Sequence, residues 1–376
     1  MTQELHLAVA LDGAGWHPAA WRAAGARPAD LFTTAYWLQL VREAERGTLD
    51  LVTIEDSLGL QSGDFMALDG RADRVKGRLD ALLIAARIAP VTRHIGLVPT
   101  VTTTYTEPFH VSTQLATLDY LSRGRAGWRV QVSGRPNESR HFFGNRTTGM
   151  EAIDELFAEA ADHVEAVRRL WDSWEDDAEI RDVATGRFVD RDKLHYTDFS
   201  GEYFSVKGPS ITPRPPQGQP VVTALAHQRV PYEFAAANAD VVFVTPADAG
   251  QAAAIAAEVR SLTDRPIQVW ADVVVFFDAA VKARLDSLDQ VSSDAFSFTG
   301  TPEQLADLLV EWQAAGLDGF RLRPGVLPAD LTAIVDGLVP QLRTRGAFRS
   351  AYQETTLRGH LGLPAAPNRY AAGVTA

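Results

Sequence analysis

No cysteine occurs in this 376-residue chain, so disulfides, thiolate metal sites, iron–sulfur ligation and cysteine nucleophiles are all excluded. Lysine is nearly as scarce: Lys76, Lys193, Lys207 and Lys282 are the whole supply. None falls at the end of an expected strand, which removes Schiff-base chemistry. With 48 acidic residues against 36 Lys and Arg the net charge is −12. No basic patch stands out, so nucleic acid and anionic membrane are not expected partners. The nine histidines never fall in an H-x-H or H-x-x-x-H pair, the spacing that metal-dependent barrel hydrolases use. No apolar run reaches the length of a membrane span. The opening MTQELHLAVAL lacks the basic region of a signal peptide, and a cytoplasmic location is the expectation. No G-x-G-x-x-G follows the first expected strand, which counts against a doubly wound open sheet.

What the sequence does contain is alternation. Strands are expected at Leu5–Leu11, Leu49–Ile54, His94–Thr103, Arg125–Val132, Pro220–Leu225, Val241–Thr245, Pro266–Phe277 and Gly319–Arg323. Amphipathic helices are expected between them: Thr34–Gly47, Leu79–Ala89, a stretch opening at Pro108 and closing at Arg123-Gly124, Glu151–Trp174, Pro231–Asn238, Ala247–Leu262, one opening at Pro302, and Ala329–Thr344. Strand and helix in strict succession make parallel βαβ units, and eight of them close a (β/α)8 TIM barrel over the whole chain, residues 1–376, as a single domain. Residues 177–215 hold no long helix and read as an insertion of hairpin and loop after the fourth helix, expected to cover the barrel mouth, and residues 345–376 read as a C-terminal tail.

The fourth strand carries the first chemical signal. In Gly127–Ser133 the residues Trp128, Val130 and Val132 face one way and Arg129, Gln131 and Ser133 the other. A strand covered on both faces should be nearly all apolar, so the polar face points to a ligand or to a partner charge inside the barrel. Sites in this fold lie at the carboxyl ends of the strands. There the chain places Asp12, Trp16 and His17; Glu55 and Asp56; Thr102, Thr103, Thr104 and Tyr105; Arg129, Gln131, Ser133 and, in the following loop, His141; Thr223, His227, Gln228 and Arg229; Asp272; and Arg321 and Arg323. Asp56 and Asp272 could serve as the pair of a two-carboxylate glycosidase, but nothing else points to sugar. A pocket rich in hydroxyls, guanidiniums and aromatics but poor in nucleophiles suits chemistry performed by a bound cofactor.

Four stretches carry a family resemblance: YWLQLVREAERGTLDLVTIEDS, HIGLVPTVTTTYTEPFHVSTQLATLDYLSRGRAGW, LWDSWEDDA with DRDKLHYTDFSGEYFSVKGP, and GTPEQLADLLVEWQAAGLDGF through TLRGHLGLP. They span nearly the whole chain and resemble the bacterial-luciferase-like flavin monooxygenases, in the branch of nitrilotriacetate, dibenzothiophene-sulfone and long-chain alkane monooxygenases. The resemblance implies reduced FMN delivered by a separate flavin reductase, O2, a peroxyflavin, a small organic substrate and a homo-oligomer. It implies a site in which Asp56 lies near the flavin ring, Thr102, Thr103 and Ser133 supply hydroxyls, and His141 serves as a proton donor.

The chain departs from the family pattern at four places, the last two of which hold the flavin phosphate in the family. Arg129 replaces the asparagine of G-W-N, Val132 replaces the threonine before Ser133, Leu156-Phe157 replaces an Arg-Tyr pair, and Ala224–Arg229 (ALAHQR) replaces Q-A-G-S-S. Phenylalanine cannot donate a hydrogen bond. Arg129 and Arg229 are the candidate replacements, because a guanidinium binds phosphate through parallel bonds. The other reading has Arg129 paired to Asp56 or Asp272, filling the pocket and leaving a divergent barrel that binds a small anion or a partner.

Overall fold

The structure, a computed structural model, describes residues 4–64, 66–142 and 152–371. Eight parallel strands form the barrel: β1 (His6–Leu11), β2 (Leu51–Ile54), β3 (Gly96–Thr102), β4 (Gly127–Gln131), β9 (Val221–Leu225), β10 (Val241–Val244), β11 (Gln268–Phe276) and β13 (Gly319–Pro324). The ring closes through β1 on β13 and β10 on β11. Around it run α1 (Thr34–Arg46), α2 (Ala81–Ile88), α3 (Pro108–Ser122), the short α4 (Pro136–Ser139), α5 (Ile153–Asp172), α6 (Arg229–Asn238), α7 (Ala249–Ser261), α8 (Ala279–Asp286) and α9 (Pro302–Ala314). Helices α10 (Ala329–Ala333) and α11 (Val339–Thr344) are joined by a π turn at Ile334–Leu338, and α12 (Leu357–His360) follows. Every expected strand and helix is present. Glu151, the expected start of the fourth helix, lies outside the described residues, as do residues 372–376 of the tail. Among the described residues no helix is long and apolar enough to cross a membrane.

Local chemistry sets the boundaries. Thr33, Asp80, Asp248 and Asp278 accept N–H groups at the starts of α1, α2, α7 and α8, and Thr301 with Gln304 forms a capping box on α9. Arg123 and Gly124 end α3 in the left-handed region, at φ 58° and 85°. Besides the four-residue helices α4 and α12, two elements escaped the sequence reading. Helix α8 has little amphipathic pattern. The short β12 (Phe296–Thr299) pairs in parallel with the far half of β11, beyond the end of β10.

The insertion corrects an expectation. It forms two hairpins, β5 (Glu179–Asp182) with β6 (Arg187–Val189) and β7 (Phe199–Ser200) with β8 (Ser205–Val206). A barrel helix returns the chain to the end opposite the mouth, so an insertion after the fourth helix starts there. Arg214 pairs with Asp172 at the end of α5, Tyr120 at the end of α3 donates to the Arg214 carbonyl, and Tyr203 and Phe204 lie against Asp162 and His163. The hairpins therefore pack outside α5 rather than over the mouth.

The tail is a floor. Ala8, Leu51, Val98, Val221, Val241, Phe243 and Trp270 point into the barrel, and Leu357 and Leu361 close it from below. Gly96 lets this happen: a Cβ there would come within 2.5 Å of a Leu357 methyl.

Candidate active site at the barrel mouth

One layer above the apolar floor the inward positions become charged. Side chains along a strand alternate, so Thr53 and Glu55 face in and Ile54 and Asp56 face out. The same phase on the other strands brings Thr100, Arg129, Asp272, Arg321 and Arg323 inward, all buried. They form one chain of opposite charges. Arg129 meets Glu55 at 3.1 Å and donates to Thr100 Oγ1 at 2.9 Å and Gln131 Oε1 at 3.1 Å. Arg321 donates to the other Glu55 oxygen at 3.1 Å and grips Asp272 with two parallel bonds of 2.7 and 2.5 Å. Arg323 donates to Asp272 and, through Nη1, to Asp294 at 2.7 Å. The other Asp294 oxygen lies 3.2 Å from His227 Nε2, whose Nδ1 is 3.1 Å from Thr245 Oγ1. The Arg321 guanidinium lies over Phe243 and that of Arg323 over Trp16.

These contacts govern protonation. Burial pushes Glu55 and Asp272 upward, but the facing guanidiniums outweigh it and hold both carboxyls below their ordinary range. Asp294, balanced the same way between burial and Arg323, falls to about 2. Arg129 thus pairs with Glu55, not with Asp56 or Asp272 as the second sequence reading had it.

Above it, the outward-facing Asp56 and the next inward positions, Thr102 and Ser133, build a different wall. Asp56 Oδ1 accepts the Ser57 N–H and Oδ2 the Ala81 N–H that opens α2, both at 2.8 Å. Burial raises its pKa, against the pull of those two N–H groups. Thr102 and Ser133 share a hydroxyl hydrogen bond of 2.9 Å, Thr104 Oγ1 accepts the Ser133 N–H at 3.1 Å, and Thr103 donates to the Gln131 carbonyl at 3.2 Å. Tyr105, at φ 65°, stacks on Phe142 with centroids 4.3 Å apart. A cavity of about 660 Å³ runs from Asp56, Thr102 and Tyr105 outward between α2 and α3, past Leu82, Leu83 and Val111. A smaller one of about 260 Å³, lined by Asp12, Glu55, Arg78, Gln131 and Arg135, opens on the barrel axis and shares Asp56 and Ser57 with the first.

The sequence-predicted residues thus divide. Asp56, Thr102, Thr103 and Ser133 come together around the strand ends. Arg129 sits in the charged layer beneath them. His141 is exposed at the end of α4, its backbone N–H on the Glu138 carbonyl. Arg229 does not join them: it is 61 % exposed and pairs with Glu233 at 2.5 Å and Glu258 at 3.7 Å. Sequence reasoning missed Asp294 altogether, because nothing in SSDAFSF marks that acid as the partner of a strand arginine. Among the described residues no cluster of three or more His, Asp or Glu is arranged to hold a metal.

Comparison with known proteins follows the same lines. Residues 14–292 match the profile of the luciferase-like monooxygenases. The chain is 33% identical to N-acetyl-S-(2-succino)cysteine monooxygenase of Bacillus subtilis (strain 168), over 98% of this chain and 99% of that protein. Among solved structures it superposes on a long-chain alkane monooxygenase with TM-score 0.86 and 25% identity, covering 96% of each chain. It also superposes on a riboflavin lyase holding modified FMN and riboflavin, with TM-score 0.87 and 25% identity, covering 96% and 97%.

Proposed function

The chain belongs to the luciferase-like monooxygenase family, and we propose that it is the oxygenase of a two-component system, acting with reduced FMN and O2 on a small organic substrate. The observation that carries this reading is the wall formed by Asp56, Thr100 and Thr102 along a cavity of about 660 Å³ at the strand ends, with Ser133 hydrogen-bonded to Thr102 behind it. That cavity is large enough for a tricyclic ring.

The residues present fit the cofactor, though not through the arginines the sequence suggested. Asp56 and the Thr102–Ser133 pair would meet the polar edge of the ring. Phe157, packed on Phe234, offers the phosphate no donor. The turn after β9 runs instead into the N-terminus of the ten-residue α6, where Gln228 makes no side-chain cap. The first N–H groups of a helix have no partner within it and favour an anion, so this terminus would take the phosphate. Reduced FMN, when bound, supplies the two electrons that activate O2, one oxygen atom going to the substrate and the other leaving as water.

The protein's own part is positioning and exclusion of water. Asp56, anchored by two backbone N–H groups, is held in one orientation and presents no proton to the mouth above its raised pKa. The charged layer beneath is neutral as a unit: three guanidiniums face three carboxylates. It offers a rigid polar base without a net field. The described residues of loop 57–78 wall the mouth and are tied down by Lys76 on Asp69 and by Arg71 and Arg74 on Asp289. His141 is the proposed proton donor from the loop side. A flavin reductase as transient partner, and a homo-oligomer, complete the reading.

The test is a titration of the purified protein with reduced FMN under argon, read by tryptophan fluorescence. Saturable quenching at micromolar flavin is expected, followed by O2 consumption on admission of air. Silence up to millimolar flavin would overturn the reading.

A further inference from the structure

The alternating charge chain has two kinds of members. Glu55 directly follows β2 and Asp272 lies within β11, so both carboxylates are fixed by the barrel. Asp294 is on the loop between α8 and β12, and its side chain is 41 % exposed. The same loop carries Asp289, which accepts from Arg71 at 3.1 Å and from Arg74 at 2.7 Å. Ala295 and Val291 on it pack with Val274, Phe276 and Trp16. Loops 57–78 and 287–295 are therefore stitched into one cover over the mouth. Asp294 ties that cover to the barrel's charge chain.

Arg323 sets the terms on which the cover can move. Its side chain is 5 % exposed, and its Nε is buried without a hydrogen-bond partner. When Asp294 leaves with the cover, Arg323 and the neighbouring His227 lose the third carboxylate, and three buried guanidiniums face two anions. Arg323 keeps Asp272 but shares it with Arg321, so losing Asp294 leaves the layer one negative charge short, and a replacement anion restores the balance and favours the open state. We infer that the Arg323–His227 pair is an exchangeable anion site, occupied by Asp294 in the closed state and by a carboxylate or phosphate group of a ligand when the cover lifts. The inference rests on the proposed function only in taking the mouth as the ligand site. The anion has two possible sources, the phosphate of the cofactor or a carboxylate of the substrate.

The test compares the wild-type chain with Asp294→Asn, which keeps the shape and removes the charge. Isothermal titration with inorganic phosphate, succinate, oxidised FMN and riboflavin reads affinity. Hydrogen exchange of residues 287–299 reads the cover. Phosphate or succinate is expected to bind D294N about tenfold more tightly or better, and saturating anion is expected to speed exchange of the loop in the wild type. A gain for FMN over riboflavin identifies the cofactor phosphate; a gain for succinate with both flavins unchanged identifies a substrate carboxylate. Should Asn disturb the loop, Asp294→Ser repeats the comparison. The idea is overturned if no anion gains affinity in either variant, or if anion leaves loop exchange in the wild type unchanged. A wild-type chain that shows the anion effect yet ignores reduced FMN would sink the oxygenase reading and leave this one standing.

Discussion

At one end of the barrel Phe243, Trp270, Leu357 and Leu361 fill the interior with hydrocarbon. One layer up, Glu55, Arg129, Asp272, Arg321 and Arg323 fill the same cross-section with charge. The floor stabilises by burying apolar area. The charged layer takes its groups out of water at a cost that pairing offsets only in part, so hydrophobic residues of equal volume would often fold at least as well. The apolar end thus carries stability, and the charged end carries a shape and a set of donors that a stability argument alone does not call for.

Four kinds of test bear on that division. The largest effect is expected from Asp272→Asn, which strips Arg321 and Arg323 of a shared carboxylate and should cost roughly 3–5 kcal/mol in urea unfolding. Leu357→Ala opens the floor and should cost about 2–5 kcal/mol, with flavin affinity unchanged. A loss of flavin binding in L357A with stability intact would break the division. The third test is pH. Asp50 accepts the Leu7 N–H and pairs with His6 and Arg349. Burial raises its pKa, but His6 and Arg349 bring it down to about 2. Its folded pKa is below the unfolded one, so the stabilisation is complete above about pH 4 and lost as pH falls toward 2, on the order of 2 kcal/mol. Unfolding curves at pH 5 and pH 3 should show the loss in the wild type and a flatter response in Asp50→Asn. The smallest effects belong to the rim. Thr102→Val or Ser133→Ala should weaken reduced FMN about 3- to 10-fold, the value of one hydrogen bond. Arg229→Ala should leave its affinity and the unfolding midpoint unchanged, since exposed ion pairs contribute little; a clear loss of flavin binding there would restore the arginine phosphate site.

The barrel was legible because each strand and each helix carries its own periodicity, and the alternation in Gly127–Ser133 told that polar groups enter the barrel. What those groups meet was less legible. Glu55 and Asp56 are neighbours, and the choice between them depends on strand phase: Thr53 faces in, so Glu55 does too, and Asp56 turns to cap α2. A count of phase along Leu51–Glu55 would have chosen Glu55 as the partner of Arg129. Asp294 could not be found that way, since a loop residue has no phase. Leu357 and Leu361 lie in the stretch read only as a C-terminal tail, because nothing local says which cavity a short helix will fill. Phe296–Thr299 does alternate, with both phenylalanines half-buried and Ser297 and Thr299 exposed, but four residues after a loop are too few to rank as a strand.

Leu357 and Leu361 come later in the sequence than every stave of the barrel they seal. A ribosome therefore finishes the eight strands before it has made the residues that shut the cylinder from below. Until those residues emerge, Trp270 and Phe243 stand at an open hole, and a chaperone that holds apolar surface has its moment there.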